Sequence, residues 1–216
     1  MTSEFQAGKM ILSQISMFNE AVVMFETVIE PAAMGAIDEC VQAFAKEEKW
    51  DGGFKLKGEN EDCWLAPKQW DIAEKDDEPQ SKAWFAIDYI QRQGDYQAAL
   101  FCEQGSAGGK AGFLFKVNPG VYGTEAACSK YLRSLNGDKI EQLRKFDLEL
   151  VEYKKGKSTF FLPIVLNAES LAETWGNSGE FSAENPCFEP VKVALEKLKM
   201  AWPIFDGILK AWPVKA

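Results

Sequence analysis

Residues 84–117 read WFAIDYIQRQGDYQAALFCEQGSAGGKAGFLFKV. Three runs in this stretch, 84–90, 96–102 and 112–117, are rich in aromatic and aliphatic residues. Gly94-Asp95 separates the first two, and the glycine-rich segment 105–109 separates the last two. In the first run Trp84, Ala86 and Asp88 alternate with Phe85, Ile87 and Tyr89. In the second, Tyr96, Ala98, Leu100 and Cys102 alternate with Gln97, Ala99, Phe101 and Glu103. In the third, Phe113, Phe115 and Val117 alternate with Leu114 and Lys116. A period of two predicts strands, and apolar residues on both faces predict a sheet covered on both sides or strongly bent. Gly94-Asp95 suits a hairpin turn. The stretch therefore reads as a three-stranded β-meander at the centre of an α+β domain.

Helical signals lie on either side of it. Ile11, Ile15, Phe18, Val22, Phe25 and Ile29 follow a 4-3-4-3-4 spacing, which draws one apolar stripe along a helix over residues 4–30. The spacing also suits a coiled-coil seam. Val23 and Met24 widen the stripe and favour a core-facing helix. Pro31 is expected to end this helix and to start a second, carrying Ala33, Ile37, Cys40 and Phe44. Residues 1–49 thus predict a helical hairpin. Trp50-Asp51-Gly52-Gly53 reads as a turn, followed by short strands near Phe54 and near Cys63.

Beyond the meander, Thr124 is a good N-cap for a helix over residues 124–136, and Asn136-Gly137 is a good stop. Phe146, Leu148 and Leu150, then Phe160, Leu162, Ile164 and Leu166, alternate as two strands joined by a lysine-rich turn at 154–157. The stretch 167–184 shows few regular signals beyond a helical turn expected at 169–175. The last helix, 185–212, begins with Asn185-Pro186 and carries Phe188, Val191, Leu195, Leu198, Trp202, Phe205 and Leu209, with a kink expected near Pro203. The whole predicts one α+β domain. An antiparallel sheet of about five to seven strands (residues 50–166) carries the inserted helix, and the first and last helices pack on each other.

Composition narrows the chemistry. The 216 residues are 46% hydrophobic and 26% charged, ordinary for a globular protein. A net charge of −9 repels phosphates and anionic lipid heads, so neither nucleic acid nor membrane is an expected partner and a basic protein is. The five cysteines are odd in number and widely spaced, which fits reduced thiols in a cytoplasm. The N-terminus reads as lacking a secretory signal. Histidine is absent, which removes imidazole acid–base catalysis and His-ligated zinc.

Four local patterns invite a functional reading. Gly105-Ser106-Ala107-Gly108-Gly109-Lys110 resembles a phosphate loop, but three residues separate Gly105 from Gly109 where the motif needs four. Ala111 also stands where Ser or Thr would hold magnesium. Glu152-Tyr153-Lys154 has the Glu-x-Lys spacing found in metal-dependent nucleases of the PD-(D/E)XK type, where carboxylates hold magnesium and the lysine steadies water or phosphate. Asp88, alone among apolar strand residues, is costly to bury without a partner such as Arg92 or Lys116. Trp64 and Trp70 bracket Pro67 in an acidic stretch, 59–78, that sets eight carboxylates against two lysines. Exposed tryptophans within an acidic rim would anchor a basic partner.

The sequence therefore predicts a non-catalytic, cytoplasmic protein-binding module of a bacterium or phage, of the adaptor, inhibitor or immunity kind. It would bind through Trp64, Trp70, Asp71, Asp76 and Asp77, without a cofactor or metal. It is expected to be a monomer, or a homodimer through the terminal helices. A magnesium-dependent phosphodiesterase using Asp88, Glu152 and Lys154 is the alternative. A small-molecule binder with an aromatic pocket between sheet and terminal helices is a third.

Overall fold

In a computed structural model, which describes residues 3–57, 62–75 and 78–213, the chain is α+β. Its helices are α1 (Ser3–Ser13), α2 (Ile15–Met24), α3 (Glu30–Glu48), α4 (Gln97–Phe101), α5 (Pro119–Tyr122), α6 (Glu125–Arg133), α7 (Gly137–Arg144), α8 (Ala168–Ser178) and α9 (Glu189–Lys210). Its strands are β1 (Trp50–Lys55), β2 (Asp62–Pro67), β3 (Asp71–Lys75), β4 (Glu78–Ser81), β5 (Ala83–Ile90), β6 (Lys110–Val117), β7 (Glu149–Lys154) and β8 (Lys157–Pro163). Six of them form an antiparallel sheet in the order β1-β2-β5-β6-β8-β7, and β3 and β4 pair separately.

Residues 84–117 do organise this sheet, but as two strands. β5 and β6 pair along their whole length, from Ala83 opposite Val117 to Ile90 opposite Lys110. The expected middle strand is instead the short helix α4. Gln97, Leu100 and Phe101 are its buried residues, a helical i, i+3, i+4 set that alternation had concealed.

One face of the sheet is the core face. Phe85 and Ile87 of β5, Phe113 and Phe115 of β6, and Phe160 and Leu162 of β8 are all buried. Phe205 of α9 sits among them, with ring centroids 5.2 Å from Phe85, 4.4 Å from Phe115 and 5.6 Å from Phe160. The space between sheet and last helix is thus filled by packed aromatic rings. The stripe read for α9 is its buried face, with Trp202 half-buried. Pro203 lies inside α9 without ending it.

The N-terminal hairpin is not formed. Ile29 and Glu30 keep right-handed helical dihedrals, and a π-helical turn, Phe25–Ile29, passes the chain straight into α3. Pro31 follows that turn; it lacks the N–H that would bond a carbonyl of the preceding turn, and the widened π-helical turn before it is where the continuous helix absorbs that loss. It is therefore α3 that packs on α9, and an ion pair between Lys199 and Glu48 joins them at 2.5 Å. No residue of α2 is buried.

Trp50-Asp51-Gly52-Gly53 is strand rather than turn. The two glycines have a steric reason. A Cβ at Gly53 would come within 2.6 Å of the Trp64 indole, and one at Gly52 within 2.6 Å of the Trp64 carbonyl. The helix caps came out close to expectation. Thr124 accepts from Ala127 N at the start of α6, while Asn136 proves to cap the start of α7 by accepting from Lys139 N. Residues 167–184 are more regular than expected, since Asn167 caps the full helix α8.

A candidate binding face on the sheet

The second face of the sheet carries the residues of interest. By strand register Trp64, Ala86, Leu114, Phe161 and Glu149 form one row across it. Ala86, Leu114 and Phe161 are buried and make a floor, while Trp64 and Trp84 are half-buried. Trp64 is directly opposite Ala86, so Trp84 is its diagonal neighbour by register on the same face, while the Trp64 indole itself lies over Gly53 of β1. Asp62, exposed, extends β2 toward the same side.

Asp88 lies on this face and is paired. Lys116 Nζ stands 2.7 Å from its carboxylate, and the carboxylate also accepts from Tyr89 N at 2.8 Å. Both side chains of the ion pair remain about one-third exposed, at 31% and 36%. That makes it a weak stabiliser and leaves its charges available to a ligand. An open basin of about 540 Å³ lies here, lined by Asp62, Trp84, Asp88, Tyr89, Arg92 and Lys116. Arg92 stacks 4.9 Å over the Tyr89 ring.

Asp88 also borders a smaller cleft of about 160 Å³ toward β7 and α6, shared with Lys116, Glu125, Tyr153, Lys154 and Lys157. The sheet curls enough to bring Cα atoms of β7 within 8 Å of β5, although two strands lie between them. Lys157 pairs with Glu125, which lowers the Glu125 pKa chiefly through that hydrogen bond. Burial raises the Tyr153 pKa, and the Glu125 charge adds to it.

The nuclease-like set is brought together only in part. In a regular strand Glu152 and Lys154 would share a face. The β7–β8 register shifts between them, from Glu152 opposite Ser158 to Lys154 opposite Lys157, so one extra residue is inserted at Tyr153. Lys154 joins Asp88 at the small cleft. Glu152 falls on the other parity, and its carboxylate accepts from Gly156 N at 2.7 Å in the β7–β8 turn. Among the described residues no group of three acidic or thiol side chains is placed to hold a metal ion.

The acidic, tryptophan-bearing stretch is rearranged. Trp70 is 1% exposed and packs on Phe85 and Phe115, so it is a core residue and not an anchor. Its indole N–H is the one buried side-chain polar atom without a partner among the described residues. Asp71 is half-buried, accepts from Ser81 at 3.4 Å and lies within hydrogen-bonding reach of Asp51. Burial, then the Asp51 carboxyl, raises its pKa. Asp76 and Asp77 lie outside the described residues. Asp51, which composition alone did not single out, shares its face with Trp64 and Trp84.

The glycine-rich segment 105–109 leads into β6, and Asp95 ties it down by accepting from Ser106 N at 2.8 Å. That bond, the largest cause, lowers the Asp95 pKa. All five cysteines are free thiols. No helix among the described residues is long and apolar enough to cross a membrane. No family model, curated protein or solved structure matches the chain.

Proposed function

We propose that this is a non-catalytic protein-binding module that holds a basic polypeptide segment on the outer face of its sheet. The observation that carries the reading is that half-buried Trp64 and Trp84 lie on one face of the paired strands β2 and β5, a face that also carries Asp51, Asp62 and Asp88, with Asp71 beside Asp51. Tryptophans in such a setting give a large contact area at low entropic cost, and the neighbouring carboxylates select Lys or Arg over acidic chains. The raised pKa of Asp71 adds to it, because an incoming cation relieves the repulsion between Asp51 and Asp71. The net charge of −9 steers the same class of partner. A 540 Å³ basin accommodates one or two side chains of such a segment.

The test is titration calorimetry with a lysine- and leucine-containing peptide, and with its glutamate counterpart as control. Trp84→Ala and Asp62→Asn/Asp88→Asn are each expected to weaken the basic peptide about tenfold or more, roughly the cost of one interface anchor. Equal affinity for the two peptides, or wild-type affinity in both variants, would refute this assignment of the surface.

A further inference from the structure

The largest unexplained feature is the helical arm before α3. Fourteen large hydrophobic residues are exposed among those described, and ten of them fall between Phe5 and Val28, including Phe5 and Leu12 at 74% and Ile15 at 59%. The base of the arm is fixed to the body. Phe25 meets Tyr96 edge-on at 4.9 Å, Tyr96 Oη donates to Glu26 at 2.8 Å, and Ala98 N donates to Glu30 at 3.0 Å. Above this joint, α1 and α2 offer apolar side chains that the rest of the chain leaves uncovered.

We propose that the arm pairs with the arm of a second copy of this chain, through the α2 seam of Ile15, Phe18 and Val22. Area argues first. The apolar side chains exposed around the arm amount to on the order of 1,000 Å² per chain, more than the largest patch of a typical monomer, and the seam is one part of that surface. Spacing argues second. Within α2, Ile15, Phe18 and Val22 keep the 3-4 repeat of a self-complementary seam, and Glu20 lies on the opposite side; Ile11 belongs to α1, beyond the non-helical Gln14. Charge argues third. From Phe5 to Phe25 only Lys9 and Glu20 are charged, and neither is on the seam. Two identical arms therefore meet without like-charge contacts. The arm lacks the Lys/Arg-rich polar face that an anionic membrane selects and the flanking charges that would specify a foreign helix.

Size-exclusion chromatography with light scattering on the full chain tests this, over a concentration series from micromolar upward. Wild-type protein is expected at twice the 24.2 kDa chain mass. Ile15→Glu/Val22→Glu is expected to halve that mass, with an unchanged thermal transition because both sites are exposed. Ser13→Glu/Thr27→Glu adds the same charge outside the α2 seam and is expected to stay dimeric. A larger integer multiple that collapses to the monomer in the seam variant supports the same contact with more strands. A monomeric wild type, or a seam variant that keeps its mass, overturns the proposal. So does a monomer that co-sediments with phosphatidylcholine vesicles, which assigns the face to lipid.

Discussion

Asp38 offers a sharp test of how the edge of the binding face is held. It sits in α3, is 9% exposed, and accepts two backbone bonds from the turn that follows β1, from Leu56 N at 3.0 Å and Lys57 N at 3.2 Å. The Cys63 thiol on β2 reaches the same carboxylate. Asp38→Ala removes these acceptors together. A buried donor left without a partner costs about 1–3 kcal/mol, and bonds to a charged acceptor are worth about 1.5–3 kcal/mol. Lys57 N is only partly buried and regains water, and the carboxylate's own desolvation cost disappears with it. The net expected loss is about 2–4 kcal/mol, or roughly a 4–16 °C fall in Tm for a chain of this size. Urea titration followed by tryptophan fluorescence measures it, with the slope held equal between proteins. Asp38→Asn keeps one acceptor but turns an NH2 toward the other N–H, so it is expected to recover less than half of the loss. A loss below about 1 kcal/mol in Asp38→Ala would mean that these bonds do not hold α3 to the sheet edge.

Two further outcomes follow from titrating groups. The Asp71 pKa is raised in the fold, chiefly by burial and then by Asp51, so the native state binds a proton more readily there than the unfolded chain does. Its contribution to stability therefore falls as pH rises from the unfolded carboxylate value through the raised one, and the penalty is fully present at neutral pH. Asp71→Asn is expected to be more stable than wild type at pH 7 and to lose that advantage at pH 3; a variant less stable at pH 7 would contradict the reading. Burial pushes the Cys40 thiol up to about 11 and raises Cys63 well above its usual value, whereas Cys102 is half-buried. Alkylation at pH 8, read by peptide mass spectrometry, is expected to label Cys102 first and to reach Cys40 and Cys63 only in urea. Early labelling of Cys63 would show that β2 opens locally.

By itself the sequence determined what depends on neighbours a few residues away. The α9 stripe, the Thr124 cap and the lysine-rich turn between β7 and β8 were legible because helical period, capping and turn chemistry are local properties. So was the odd character of Asp88 among apolar strand neighbours, and Lys116 is indeed its partner. Tertiary structure decided whatever depends on distant chain. The run 96–102 is apolar on both faces, so alternation fits it as well as a helical period does, and only the direct pairing of β5 with β6 excludes it from the sheet. Trp64 and Trp70 look alike in sequence, yet the 3-10 turn Lys68–Trp70 sends Trp70 under β5 while β2 keeps Trp64 on the outer face. A single inserted residue at Tyr153 parts Glu152 from Lys154, because one step along a strand reverses the face. The seam at 11–29 is apolar whether its partner is the body or another chain. Its period records that the face is to be covered, and where the arm sits shows that the body covers it in part at Phe25 and Ile29 and buries no residue of α2.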